Sequence, residues 1–214
     1  MGLSFQGYYA IVDVKGTSVE AEEVRRHASE LLAASPCCLQ LRAKQLGLSD
    51  LCALGHALRP LCTQHQVPFC VNDRLDVALA VGADVIHLGQ NDLPLAEALR
   101  ARSAARAERL GIGISTHDLV QARTAADGGA DYIGFGPVFP TQTKTDADPV
   151  VGLLALRQVA AAVKIPIVAI GGISLDTVDE VARAGASAAA VIAAVDGAPD
   201  RPLAGRRIAL AFRA

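Results

Sequence analysis

Apolar positions along the chain fall into two kinds of run that alternate eight times. Short, β-branched runs that are apolar almost throughout are each followed by a longer stretch with helical spacing of its apolar residues. The short runs predict strands over residues 8–12, 38–41, 69–71, 85–88, 111–114, 132–135, 167–170 and 190–192. The longer stretches predict helices over 19–34, 49–65, 75–81, 95–106, 119–127, 151–163 and 176–184, then a poor tail helix from about Arg201. Strands that are apolar on both faces suit a parallel sheet covered on both sides. Eight strand–helix units of roughly 27 residues predict an α/β fold, a compact TIM (β/α)8 barrel. A doubly wound open sheet is the rival. It is weakened because Asp13-Val14-Lys15-Gly16, and no G-x-G-x-x-G, follows the first strand.

Proline modifies this picture in two places. Pro60 lies inside the second helical stretch, where it removes a backbone donor and predicts a kink or two shorter helices. Pro199 and Pro202 predict a short, proline-broken final helix. No literal repeat, linker, charge block or low-complexity segment interrupts the units. At 214 residues and 51 % hydrophobic, the chain can bury a sizeable core as a single domain over 1–214.

Charge then narrows the function classes. Lys and Arg number 20 against 22 Asp and Glu, a formal net charge of −2, and no long basic run occurs. A nucleic-acid footprint is therefore not expected. No apolar stretch reaches the roughly 18 residues of a membrane span. Residues 1–7 have neither a basic segment nor a signal-length apolar core, so a cytoplasmic protein is expected. The five cysteines, Cys37, Cys38, Cys52, Cys62 and Cys70, are odd in number and contain no C-x-x-C. They predict buried or idle thiols rather than disulfides or a zinc site.

In a barrel of this kind the chemistry gathers at the C-terminal ends of the strands. Gln40, Arg42 and Lys44 alternate after the second strand, so all three can face the barrel mouth. A planar guanidinium fork beside an ammonium suits phosphate oxygens, although a strand end with solvated charges would show the same pattern. Asn72-Asp73 and Asp92 end the third and fourth strands. Two carboxylates with substrate phosphates suit Mg²⁺, while either aspartate alone also suits a helix N-cap. Asp76 falls inside the third helix and reads as structural.

Gly171-Gly172 after the seventh strand, with small residues after the eighth, matches the usual phosphate position of these barrels, or else a tight turn. Thr141-Gln142-Thr143-Lys144 adds hydroxyls and a cation. Of the histidines, His27, His56 and His65 fall on helices and His87 within the fourth strand, where packing explains them. His117, just behind Ser115-Thr116, is placed to reach the site as an acid–base group.

Taken as a set, these segments resemble the thiamine phosphate synthase family. The resemblance rests on Gln40-Leu41-Arg42-Ala43-Lys44, on Val71-Asn72-Asp73-Arg74, on Gly89-Gln90-Asn91-Asp92 and on Gly113-Ile114-Ser115-Thr116-His117. It extends through Gly136-Pro137-Val138-Phe139-Pro140-Thr141-Gln142-Thr143-Lys144 and Ala169-Ile170-Gly171-Gly172-Ile173. It implies a TIM barrel that joins a hydroxymethylpyrimidine diphosphate to a thiazole phosphate, giving thiamine phosphate and pyrophosphate, with Mg²⁺ as cofactor. Residue by residue, it implies Gln40 at the pyrimidine and Arg42, Lys44, Asn72, Ser115 and Lys144 at the diphosphate. Asp73 and Asp92 would hold Mg²⁺. Thr141, Thr143 and the backbones of Gly172, Ile192 and Ala193 would hold the thiazole phosphate. Leu41, Ala43 and Gln142 belong to the same substrate-binding segments. Arg42, Lys44, Ser115 and Lys144 are the implied catalytic groups. The expected partners are the two small-molecule substrates, with no nucleic acid and no membrane; a homo-oligomer stays open.

One departure stands out. Ala193 occupies a position where the family often has serine, so a hydroxyl contact is lost while a backbone N–H contact remains. Two alternatives accompany the synthase reading. The related thiazole tautomerase-like branch shares the Ser115-Thr116-His117 segment, and Asp73 and Asp92 argue against it. A non-catalytic barrel that senses a thiamine intermediate is the other.

Overall fold

The structure is a computed structural model, and it describes residues 5–141 and 148–213. Its strands are β1 (Gly7–Asp13), β2 (Cys38–Arg42), β3 (Phe69–Asn72), β4 (Val85–Leu88), β5 (Gly111–Thr116), β6 (Tyr132–Phe135), β7 (Ile167–Ile170) and β8 (Ala188–Val191). The helices between and after them are α1 (Ala21–Leu32), α2 (Leu48–His65), α3 (Leu75–Ala80), α4 (Leu95–Ala104), α5 (Leu119–Asp127), α6 (Gly152–Ala162), α7 (Val178–Arg183), α8 (Ala193–Asp196) and α9 (Arg201–Leu210). The strands pair in parallel and in chain order. β1 also bonds to β8, from Gly7 opposite Ala188 to Ala10 opposite Val191, which closes the barrel. The sequence expectation of a (β/α)8 barrel is met.

Alternation along each strand sorts side chains into two cores. In β2, Leu39 and Leu41 face outward into the large cluster between strands and helices. Cys38 points inward, to a smaller cluster with Phe5, Tyr9, Cys70 and Tyr132 inside the barrel. Because every strand is covered on both sides, both alternating sets are apolar, which is why the strands read as continuous apolar runs.

Three sequence expectations are corrected. α2 runs through Pro60 as one helix of 18 residues, not two shorter ones. Its buried residues Leu51, Leu54, Leu58 and Cys62 hold one face to the barrel, and Pro60 lies on the exposed face, where water can satisfy the freed carbonyl. The tail helix is not broken by proline either. Asp200 caps α9, its side chain accepting from the Leu203 N–H at 2.8 Å, and Pro202 sits in the first turn, where no N–H is needed. A short α8 precedes it.

Third, a short motif does recur, although no literal repeat is expected from the sequence. Gly82-Ala83-Asp84, Gly129-Ala130-Asp131 and Gly185-Ala186-Ser187 occupy the same place before β4, β6 and β8. In each, the third residue donates its N–H to a carbonyl of the preceding strand, Phe69, Ile112 or Ile167. Its side chain accepts from the N–H of that same residue, at 2.8, 2.8 and 3.4 Å. A three-residue clamp thus repeats at alternate strands and fixes their stagger at the end opposite the mouth. Among the described residues no helix is long and apolar enough to cross a membrane.

Candidate active site

The C-terminal strand ends open onto a cavity of about 630 Å³. The strand pleat carries Gln40, Arg42 and Lys44 to its wall together, while Leu41 and Ala43 turn into the outer core and touch no part of the cavity. Asn72, Asp73, Asp92, Ser115, Thr141, Gly172, Ile192 and Ala193 also line it, as does His117. Gln142, Thr143 and Lys144 lie outside the described residues.

Asp73 and Asp92 arrive from adjacent strands. Asp73 directly follows β3 in a left-handed conformation, φ 64°, with its N–H bonded to the His87 carbonyl at 2.8 Å. That conformation is costly for any residue with a Cβ and is tolerated best by aspartate, asparagine and glycine. Asp92 caps no helix, since Pro94 holds the N-cap position of α4. It instead accepts from the Gly89 N–H at 2.6 Å, folding the β4 loop back on itself. Burial, and then the neighbouring Asp92 carboxyl, push Asp73 up to about 6 against the pull of Lys44 and Arg42. Lys44 Nζ stands 3.7 Å from Asp73 Oδ2. Two adjacent carboxylates in a half-buried setting create a demand for positive charge that one lysine at this distance meets only in part.

Arg42 is held from behind. Its guanidinium bonds Asp13 at the end of β1, whose side chain is only 3 % exposed. Sequence reasoning passes over this partner and over Lys15, which also lines the cavity, although the rule that points to strand ends applies to β1 as well.

On the far side of the mouth, Gly171 and Gly172 both take positive φ, 85° and 66°. A Cβ on Gly172 would meet the Phe139 carbonyl carbon at 2.7 Å. These glycines are therefore demanded by the β6–α6 loop that packs on them, whether or not a ligand also approaches. His117 donates from Nδ1 to the Gly136 carbonyl at 2.6 Å and turns Nε2 to Asp148 Oδ2 at 3.1 Å.

The floor of the cavity is polar in a way the sequence does not announce. Tyr9, His87 and Tyr132 reach inward from β1, β4 and β6, and Gln40 and Ser115 bond to them. His87, expected as packing, lines the cavity with its ring bonded at both nitrogens. A histidine and two tyrosines in apolar strand runs read as core residues. Only the closed barrel shows that they share one interior. Among the described residues no group of three or more His, Cys, Asp or Glu is placed to hold a metal, so any cation here would rest on the carboxylate pair and on its ligand's own oxygens. Among the described residues the five cysteines are free thiols, three of them buried.

The chain is 48 % identical over 182 residues to the thiamine-phosphate synthase of Methanospirillum hungatei, covering 85 % of this chain and 86 % of that one. It is 47 % identical over 177 residues to that of Chlorobium phaeovibrioides, covering 83 % of each. Among solved structures, the thiamine phosphate pyrophosphorylase from Pyrococcus furiosus superposes with a TM-score of 0.83 at 36 % identity, covering 98 % of this chain and 96 % of that one. A 3-hexulose-6-phosphate synthase, at 19 % identity and a TM-score of 0.67, shares the fold alone. The family model described as thiamine monophosphate synthase matches residues 8–195, from the first strand of the barrel to beyond the last: this chain belongs to the thiamine monophosphate synthase family.

Proposed function

We propose that the cavity joins a hydroxymethylpyrimidine diphosphate to a thiazole phosphate, releasing pyrophosphate. The observation that carries the detail is the placement of two unlike subsites across one mouth. Strands 3 and 4 bring a carboxylate pair beside Lys44 and Arg42, and strands 7 and 8, opposite in the ring, bring the Gly171-Gly172 turn and the start of α8. The first subsite suits a diphosphate and the second a single phosphate.

In this reading Gln40 orients the pyrimidine, and Arg42, Lys44, Asn72 and Ser115 take the diphosphate oxygens. Asp73 and Asp92 fit Mg²⁺ as a pair whose mutual repulsion a divalent cation relieves, and the ion, when bound, neutralises charge on the diphosphate. The bond from the methylene carbon to the diphosphate breaks, with the electron pair leaving on pyrophosphate. The thiazole nitrogen, held by Thr141 and by the backbones of Gly172, Ile192 and Ala193, then bonds that carbon. No protein nucleophile takes part. Positioning and charge stabilisation supply the rate. Thr143 and Lys144, close to Thr141 in the sequence, complete the proposed set, with Lys144 assigned to the leaving group. Both substrates carry phosphate charge that a bilayer core excludes, which supports a cytoplasmic enzyme.

Pyrophosphate release from the two substrates, followed across a Mg²⁺ titration, tests the reading. Asp73→Asn and Asp92→Asn should each lower turnover by about 10²-fold or more, and the double variant should be little worse than either, as for residues acting as a unit. An Asp92→Asn enzyme with wild-type turnover and unchanged Mg²⁺ dependence would remove the paired carboxylates from the mechanism.

A further inference from the structure

Five side chains form an unbroken hydrogen-bonded line across the cavity floor. Gln40 Nε2 lies 3.0 Å from Tyr9 Oη, which lies 3.0 Å from Tyr132 Oη. Tyr132 Oη lies 2.8 Å from His87 Nδ1, and His87 Nε2 lies 2.9 Å from Ser115 Oγ. The middle link crosses the barrel from β1 to β6, so the line joins two cavity-facing residues that no single strand pair connects.

Such a line can run in either of two directions, with opposite chemistry. If Gln40 donates and each phenol passes its one hydrogen along the line, His87 accepts at Nδ1 and donates from Nε2, and Ser115 keeps its own hydrogen for the cavity. If Gln40 accepts, every bond reverses, and His87 Nε2 takes the Ser115 hydrogen as a base would. A second contact of the amide selects between them. Gln40 Nε2 also lies 3.7 Å from Cys70 Sγ, and Cys70 gives its own S–H to the Val71 carbonyl at 3.5 Å. A sulfur whose hydrogen is committed can only accept, so the amide atom facing it is the donor nitrogen. The same nitrogen faces Tyr9, which sets the direction at the Gln40 end of the line; beyond it, Cys70 Sγ, which both phenols also face, competes with the next link for each phenol hydrogen. Burial keeps both phenols protonated, since each is raised well above its ordinary value. The Tyr132 ring has no freedom to swing away, because it packs on Phe5 at 4.1 Å between centroids and fills the space a Cβ would need at Gly113.

We propose that Gln40, Tyr9, Tyr132 and His87 form a one-way hydrogen-bond relay that aims the Ser115 hydroxyl hydrogen into the cavity, making Ser115 a donor to an anionic substrate oxygen and Tyr132 the positioning residue at the centre of the relay. The substrate half of this statement rests on the diphosphate reading above. The relay half stands on the protein alone.

The test has one arm for each half. Nitrogen-15 NMR of the ligand-free wild-type protein at about pH 8, where an ordinary imidazole is neutral, reports the His87 tautomer. The expected result is hydrogen on Nε2 and a bare Nδ1. Hydrogen on Nδ1, or covalent labelling of Ser115 by a fluorophosphonate, overturns the relay. In the second arm, inorganic pyrophosphate with Mg²⁺ is titrated into wild type, Tyr132→Phe, Ser115→Ala and the double variant. Tyr132→Phe, which keeps the ring, should weaken binding by about 10-fold or more, the usual scale for losing an orienting partner. The double variant should match Ser115→Ala. Tyr9→Phe, one link earlier, gives the same comparison should Tyr132→Phe not fold. Wild-type affinity in both phenylalanine variants overturns the positioning role. A wild-type protein that shows the expected tautomer yet binds no pyrophosphate overturns the diphosphate reading, and with it the role given to Ser115.

Discussion

At the end of β3, Asp73 holds a left-handed backbone conformation beside a second carboxylate, partly buried, with Lys44 nearby. The backbone conformation, the burial and the second carboxylate each cost the folded state something, which Lys44 offsets only in part, so Asp73 carries a net stability cost when charged. An unfolded aspartate titrates at 3.8, whereas folded Asp73 titrates at about 6. Above about pH 6 the group is charged in both states, and the folded chain bears the full cost of holding that charge beside Asp92. Between these two values the folded protein takes up a proton that the unfolded chain does not, so the cost fades as pH falls, and below about pH 4 it is gone. Asp73→Asn should therefore raise the melting temperature of metal-free protein at about pH 8, by a margin that shrinks to nothing below about pH 4. Thermal melts with a chelator at the two pH values read this directly. An unchanged or lower melting temperature at the higher pH would mean that Asp73 is not under the electrostatic load described. Arg42 shows the reverse arrangement, a cavity-lining charge held by a buried partner, Asp13, from the neighbouring strand.

Elements carry constraints that no single residue shows. The Gly171-Gly172 turn after β7 reads from the sequence as a phosphate cradle, and the structure adds that it is also the seat of the Phe139-Pro140 segment. Gly172→Ala meets both a positive φ and a backbone carbonyl carbon at 2.7 Å, so we expect a loss of about 2 kcal/mol or more of stability. Gly16→Ala is the matching control. It has a positive φ of 89° but open space around the added carbon, and should cost only about 1 kcal/mol. Urea unfolding of the two variants separates the contact from the backbone conformation. Equal losses would show that the loop yields. Any change in phosphate affinity at Gly172 has to be read against this background. A bulkier residue there disturbs the loop before it reaches a ligand.

Across the whole molecule, closure of the barrel decides which groups are reachable. Cys38, Cys62 and Cys70 are buried and Cys37 is nearly so in its surroundings, with burial pushing the Cys37 and Cys62 thiols up to about 12. Thiolate is the reacting form, so Cys37, Cys38 and Cys62 should resist alkylation by iodoacetamide at about pH 8 in the native state, and Cys70, whose thiol its hydrogen-bonding neighbours pull down, should resist because burial bars the reagent. We expect mass spectrometry to find at most Cys52 modified rapidly, and all five modified in denaturant. Fast native labelling of Cys62 would show that α2 opens from the barrel far more readily than its packing implies.

Much of this architecture is legible in the sequence, for a physical reason. Hydrophobic periodicity is a local property, and in a barrel where every strand is covered on both sides the local pattern and the global fold agree. The eight strand–helix units, the strand-end location of the polar residues and the shared face of Gln40, Arg42 and Lys44 all follow from spacing along one strand. Contacts between strands do not. The Asp13–Arg42 pair spans 29 residues and the Tyr9–Tyr132 bond spans 123, and both exist only because closure and register bring those positions together. The repeated clamp before β4, β6 and β8 escapes notice as a sequence repeat because only three residues recur, and its meaning lies in a bond to the strand before it. Tyr9, His87 and Tyr132 sit in runs apolar enough to pass as core, which they are. Tertiary structure makes that core a polar line, because inside a narrow closed barrel a buried hydroxyl or ring nitrogen must find its partner on another strand.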